Sequence, residues 1–177
     1  MPTILSHPAI PLSLYAGLGG KAVPPRLFAA GIAACIVPDL DVIAFRLGIP
    51  YGDPLGHRGA THSIAFALAL GAIAALFAAR LGTRRSAAFA FVSFCGVSHG
   101  LLDCFTNGGS GIAFLWPFSD ERWFAPWRPI EVSPLSVTRF MGERGVHVLA
   151  SELLWVWLPA ALFAAALFAW RKWRNPS

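Results

Sequence analysis

Cysteine is scarce in this chain: Cys35, Cys95 and Cys104 are its whole supply among 177 residues, and no C-x-x-C pair occurs. That excludes a disulfide framework or a cysteine-built zinc module, and the three thiols, set in apolar runs, read as packing residues. Charge is scarce as well. Only 13 % of residues are charged and 56 % are hydrophobic, where a soluble domain has roughly 25 % and 45–50 %. So little charge cannot coat a water-soluble surface, and an integral membrane protein is expected, of a length that suits a single domain over residues 1–177. The first residues lack a basic stretch followed by a long apolar one, so no cleavable signal peptide is expected. The net charge of +5 forms no basic stripe. The cations fall at the ends of apolar runs, which argues for topology signals and against a nucleic-acid partner.

What is present in abundance is apolar sequence, and its punctuation divides the chain. Residues 8–20 are too short to span a bilayer, which takes ~20 apolar residues, and end in Gly17, Gly19 and Gly20. Pro24 and Pro25 start a helix over 27–37, which Pro38 breaks or kinks. An apolar stretch over 42–49 and a Gly/Pro-rich loop over 50–59 follow. Spanning helices are expected over 61–79, capped by Thr61 or Ser63, and over 86–105. A long loop rich in Trp and Pro occupies 110–147, with aromatics suited to the membrane interface. The last helix covers 149–170, with a kink at Pro159. The fold class is therefore all-α, a polytopic membrane bundle of about four or five helices. Cytoplasmic loops are enriched in Lys and Arg. Placing Lys21 and Arg26, Arg80, Arg84 and Arg85, and the tail Arg171, Lys172 and Arg174 in the cytoplasm leaves the long loop extracytoplasmic.

Every polar cluster then falls toward that opposite face. Gly56 to Ser63 holds His57, Arg58, Thr61 and His62 at the mouth of an apolar helix, and ligand-forming side chains at membrane depth are functional by default. His57 belongs to the loop and His62 to the first helical turn, where both can reach one ion. Arg58 suits a phosphate or carboxylate oxygen, unless it only snorkels to headgroups. His99 and Asp103 are four apart and share a helix face, which serves a metal ion or an interhelical hydrogen bond equally. Asp39 and Asp41 flank Leu40 just after Pro38, where a broken backbone sets both on one side. A cation between them is the cheapest way to keep both ionised, the other reading being solvated aspartates at the interface. His7 is a further possible ligand. His147, Glu152, Asp53, Asp120, Glu121, Glu131 and Glu143 are expected to be solvated, and Asn107 to cap its helix or orient a substrate.

The early histidine, P-D-L-D, H-R-G-A-T-H-S and S-H-G-L-L-D-C-F-T-N-G-G, in this order from His7 to Phe118, resemble the YdjM-like inner-membrane proteins of bacteria and archaea, regarded as metal-dependent hydrolases. The resemblance implies His7, Asp39, Asp41, His57, His62, His99 and Asp103 as ligands, through similarity to zinc-dependent phospholipase C and related nucleases. Zinc fits the imidazole content, and the carboxylates leave manganese or magnesium open. Metal-activated hydrolysis of a lipid phosphoester at the extracytoplasmic face of the inner membrane is the expected function, with membrane lipid as the partner. Arg58 would steady the developing charge, and Asp41 or His57 would act as general base. The family has also been linked to the LexA repressor, yet nothing here reads as a DNA-binding helix. The rivals are a cation or proton transporter, and a membrane scaffold around a structural metal.

Overall fold

The computed structural model describes residues 1–134 and 136–174. Leu135, within the loop expected over 110–147, and residues 175–177 of the expected domain lie outside the described residues. Among the described residues six helical bodies follow one another: α1 (Ala9–Leu18), α2 (Pro25–Arg46), α3 (Ile64–Leu76), α4 (Arg85–Cys104), α5 (Val137–Phe140) and α6 (Glu143–Arg174). That is one more than expected, because the short α5 forms inside the long loop. Three of them, α2, α4 and α6, are long and apolar enough to cross a membrane.

α2 starts with Pro25 at its first position, where a missing N–H costs nothing. It tightens into a 3-10 turn over Val37–Val42, so Pro38 bends the helix without ending it. α3 differs from its expected extent over 61–79. Ser63 caps it, its Oγ accepting from Phe66 N at 3.1 Å, and the helix runs from there only to Leu76. At 13 residues it is too short to span alone. The last helix begins earlier than expected, at Glu143. It carries a π turn over Leu153–Trp157, where the wider turn relieves the clash of the Pro159 ring with the carbonyl four residues back.

α4 is the centre of the bundle, packed against α2 on one side and α3 on the other. Small residues set how close they come, as in membrane helix pairs generally. A Cβ on Gly96 would lie 2.9 Å from that of Ala67, and one on Gly71 would strike Ser93 Oγ. Below this contact Leu27, Ala34, Cys35, Ala74, Ala88, Val92 and Cys95 form an apolar core, and the three cysteines are free and buried. α1 packs on α6, most of whose surface faces outward as Leu153, Leu158, Leu162, Phe163 and Phe168. Arg26 and Arg80 meet at one end of the bundle, where Arg26 Nη1 donates to the Arg80 carbonyl at 3.2 Å.

The long loop closes the other end. Ile112 and Trp123 exchange backbone hydrogen bonds of 2.9 Å, and Ala113 N donates to the Arg58 carbonyl at 3.1 Å. Phe118, Trp123 and Trp127 remain exposed on it.

Candidate metal centre

The residues under the loop come from five separate stretches. His7 precedes α1, Asp39 and Asp41 lie on the 3-10 turn of α2, and His57 and Arg58 lie in the loop before α3. His62 ends a 3-10 turn over Ala60–His62, and His99 and Asp103 stand one helical turn apart near the end of α4. All of them are buried. Gly100 lets the His62 turn lie directly on α4, since a Cβ there would stand 3.0 Å from the His62 carbonyl oxygen.

Four of these side chains, Asp39, His62, His99 and Asp103, offer ligand atoms within 4.8 Å of one another. His62 Nε2 is 3.3 Å from Asp103 Oδ2 and 3.7 Å from Asp39 Oδ1, and His99 Nε2 is 3.5 Å from Asp39 Oδ1. His7 joins them, its Nε2 at 3.6 Å from Asp39 Oδ2 and 3.8 Å from Asp103 Oδ1, its ring stacked on His99 with centroids 3.8 Å apart.

Hydrogen bonding decides which atoms are left over. Pro38 has no N–H to offer the Cys35 carbonyl three residues back, and His99 Nδ1 donates there instead at 2.7 Å. His99 Nε2 is thereby left with its lone pair. His62 Nδ1 donates to Thr61 Oγ1 at 3.1 Å and lies 3.2 Å from Asp41 Oδ2, so Nε2 is the nitrogen turned to the set. The two Nε2 atoms face each other at 3.0 Å. Ligands about 2.0–2.1 Å from one ion stand ~3 Å apart at a right angle and ~3.3 Å apart at the tetrahedral angle. Both oxygens of Asp39, both of Asp103 and both ring nitrogens of His7 are buried with no hydrogen-bond partner. Such orphaned atoms, turned toward one another, fit a divalent ion. His62 points the same way. Burial opposes its protonation, but hydrogen bonds to Asp103, Asp39 and Asp41 outweigh that and raise it to about 10, so the spot favours positive charge. Burial first, and His99 beside it, lowers His7 to about 3 and keeps its ring neutral.

Asp41 is different, because its oxygens are satisfied. Oδ1 lies 2.6 Å from His57 Nδ1, and Oδ2 accepts from Thr61 Oγ1 at 2.6 Å and from Arg58 N at 3.2 Å. The expectation that Asp39 and Asp41 lie on one side is therefore corrected. At ~120° per residue, a 3-10 turn directs side chains two apart toward different neighbours. Asp39 faces the orphaned set, while Asp41 and His57 form a second group with His62.

Arg58 is also placed differently from a substrate clamp. It is 0 % exposed, with φ 65°. Nη1 donates to the Gly108 carbonyl at 2.8 Å, Nη2 donates to Thr106 Oγ1 at 2.9 Å, and Nε lies 3.4 Å from Asp103 Oδ2.

The profile of the YdjM inner membrane proteins matches residues 1–174. This chain belongs to the YdjM family. The inner membrane protein YbcI of Escherichia coli (strain K12) is 45 % identical over 175 residues, covering 97 % of this chain and 99 % of that one. No solved structure matches. The family makes this an inner membrane protein, which three long apolar helices fit.

Some residues of this YdjM-family chain fall elsewhere than expected. Glu152 is buried, not solvated. Asn107 neither caps a helix nor meets the cluster, since its Oδ1 accepts from Val132 N at 2.9 Å. Thr61, Thr106 and Arg122 were not assigned to the site by sequence, yet they support it. Arg122 reaches the His57 carbonyl at 3.0 Å from the far side of the loop. Thr61 sits inside the H-R-G-A-T-H-S motif, which was the available signal. Arg122 carried none.

Proposed function

We propose that this chain is a metal-dependent hydrolase acting on a lipid phosphoester at the extracytoplasmic face of the inner membrane. The observation that carries the reading is the orphaned set of His7, Asp39 and Asp103 atoms, closed by Nε2 of His62 and His99. These five side chains would hold the ion. Zinc suits three imidazoles, and manganese or magnesium remains compatible with two carboxylates. When bound, such an ion supplies Lewis acidity and lowers the pKa of water toward ~7.

The chain's own groups do the rest. Asp41 holds His57 Nδ1, which keeps Nε2 as the nitrogen that takes a proton. The same carboxylate orients His62, as carboxylates commonly do for metal-binding imidazoles. Arg58 acts through Asp103, whose charge it offsets. A groove of 530 Å³ runs beside the centre, with Asp39 in its wall next to Leu5, Leu40, Val42 and Phe140. An apolar approach to a polar centre at headgroup depth suits a lipid.

A cation or proton pathway needs polar groups through the full membrane depth. Between the centre and the basic end the core is apolar, and the buried Ser93 hydroxyl there has no partner among the described residues, which favours a one-sided site. A scaffold around a structural metal is separated from an enzyme by turnover. The test is elemental analysis of the purified protein, then a panel of phospholipids and phosphomonoesters. Turnover that is lost on chelation and restored by metal is expected. Protein without bound metal and indifferent to chelator refutes the reading.

A further inference from the structure

Glu152 lies in the buried stripe of α6 with Val148, Val156 and Ala160, at 1 % exposure. A carboxylate in such a stripe is costly unless donors surround it. Among the described residues its donors come from one place, the segment just before His7. The Thr3 backbone N–H donates to Oε1, while Thr3 Oγ1 and Ser6 Oγ donate to Oε2, each at 2.6 Å. Trp157, one turn further along α6, adds a bond from Nε1 to Ser6 Oγ at 3.1 Å.

His7 needs such help more than the other imidazoles of the centre. His99 is fixed by the Cys35 carbonyl, His57 by Asp41, and His62 by Asp41 and Thr61. Among the described residues neither ring nitrogen of His7 has a hydrogen-bond partner, so its orientation leans on its backbone and on the stacking against His99.

We propose that Glu152 is a positioning residue for the metal centre, a latch that holds residues 3–6 against α6 and so delivers His7 to Asp39 and Asp103. The inference rests on the reading of the centre as a metal site. It adds that the fifth ligand is supplied through a carboxylate distant in sequence, whose loss weakens the site without touching a ligand.

The experiment uses the full chain in detergent, titrated with zinc against a competing chelator, beside amide hydrogen exchange over residues 3–7. Partners that orient ligands typically carry about 10–100-fold in metal affinity, and E152A is expected to lose about ten-fold. E152Q, which still accepts from Thr3, is expected to recover part of this. H7A is expected to weaken binding by itself, and adding E152A to it to change little further, because both act through one ligand. Exchange at Thr3 and Ser6 should rise in E152A whether or not zinc is present. If E152A does not fold, the double variant T3A/S6A is read in the same way. Zinc affinity unchanged in E152A, or additive losses in E152A/H7A, overturns the latch. Absence of zinc binding in the parent protein overturns the metal reading, and unchanged exchange in E152A then overturns the latch separately.

Discussion

At the scale of single residues, the division between orphaned and satisfied carboxylates makes a sharp prediction. D39N or D103N removes a charge from the set that faces the ion and should abolish stoichiometric zinc binding, whereas D41N should cost about 10–100-fold in affinity, as for a partner that only orients ligands. Metal content after dialysis against a weak chelator checks both. Equal losses at all three positions would put Asp41 among the ligands. Arg58→Ala should destabilise the protein by about 3–5 kcal/mol, read as a lower midpoint of thermal unfolding in detergent, since it strands a buried charge. That substitution therefore damages enzyme and scaffold alike and does not tell them apart. Much of this was legible in the sequence because polar residues within apolar runs advertise themselves: His57, His62, His99 and Asp103 stand out as soon as the helices are drawn. Glu152 was hidden by its charged neighbourhood near Glu143 and Arg144, although its four-residue spacing from Val148 and Val156 matched a buried stripe. The different fates of Asp39 and Asp41 were not legible, because they depend on which tight turn Pro38 induces.

Among the elements, α4 carries the weight of the fold, and its contact with α3 is set by missing side chains. Gly71→Val would press a branched side chain into Ser93 and stand 2.8 Å from the Phe89 carbonyl oxygen at its Cβ. Overpacking of this kind costs typically 1–3 kcal/mol, more where backbone must give. The folded fraction recovered by size-exclusion chromatography should fall accordingly, and a variant as well behaved as the parent would mean that α3 can shift away from α4. Helix positions could be read from the apolar runs and their punctuation, and helix ends less well. Ser63 was recognisable as a cap, but nothing local announced that α3 stops at Leu76, and the start of α6 at Glu143 lay within sequence that looked like loop.

For the molecule as a whole, charge and sidedness yield two further tests. In the metal-free chain the His62 pKa is raised from 6.5 to about 10. Protonation of His62 therefore contributes stability that is complete below pH 6.5 and is lost as pH rises through 10. Zinc must displace that proton, so binding at pH 8 should release about one proton per ion. Calorimetry in buffers of different ionisation enthalpy measures it, and zero release would contradict a protonated His62. Because Cys35, Cys95 and Cys104 are buried, labelling can report topology against a quiet background. F118C on the loop should react with an impermeant maleimide from outside the cell, and W173C only after permeabilisation, if the basic end is cytoplasmic. The opposite pattern would place the centre on the inner face. Finally, the donors of the centre are scattered from His7 to Asp103 along the chain, and this dictates the order of events during biogenesis. The residues before α4 supply His7, Asp39 and His62 but neither His99 nor Asp103, so a nascent chain cannot offer the full set while it is still leaving the ribosome. On the metal reading, an ion held by all five side chains would be loaded only after α4 has been threaded through the bilayer, and would come from the pool on the side where the finished nest opens.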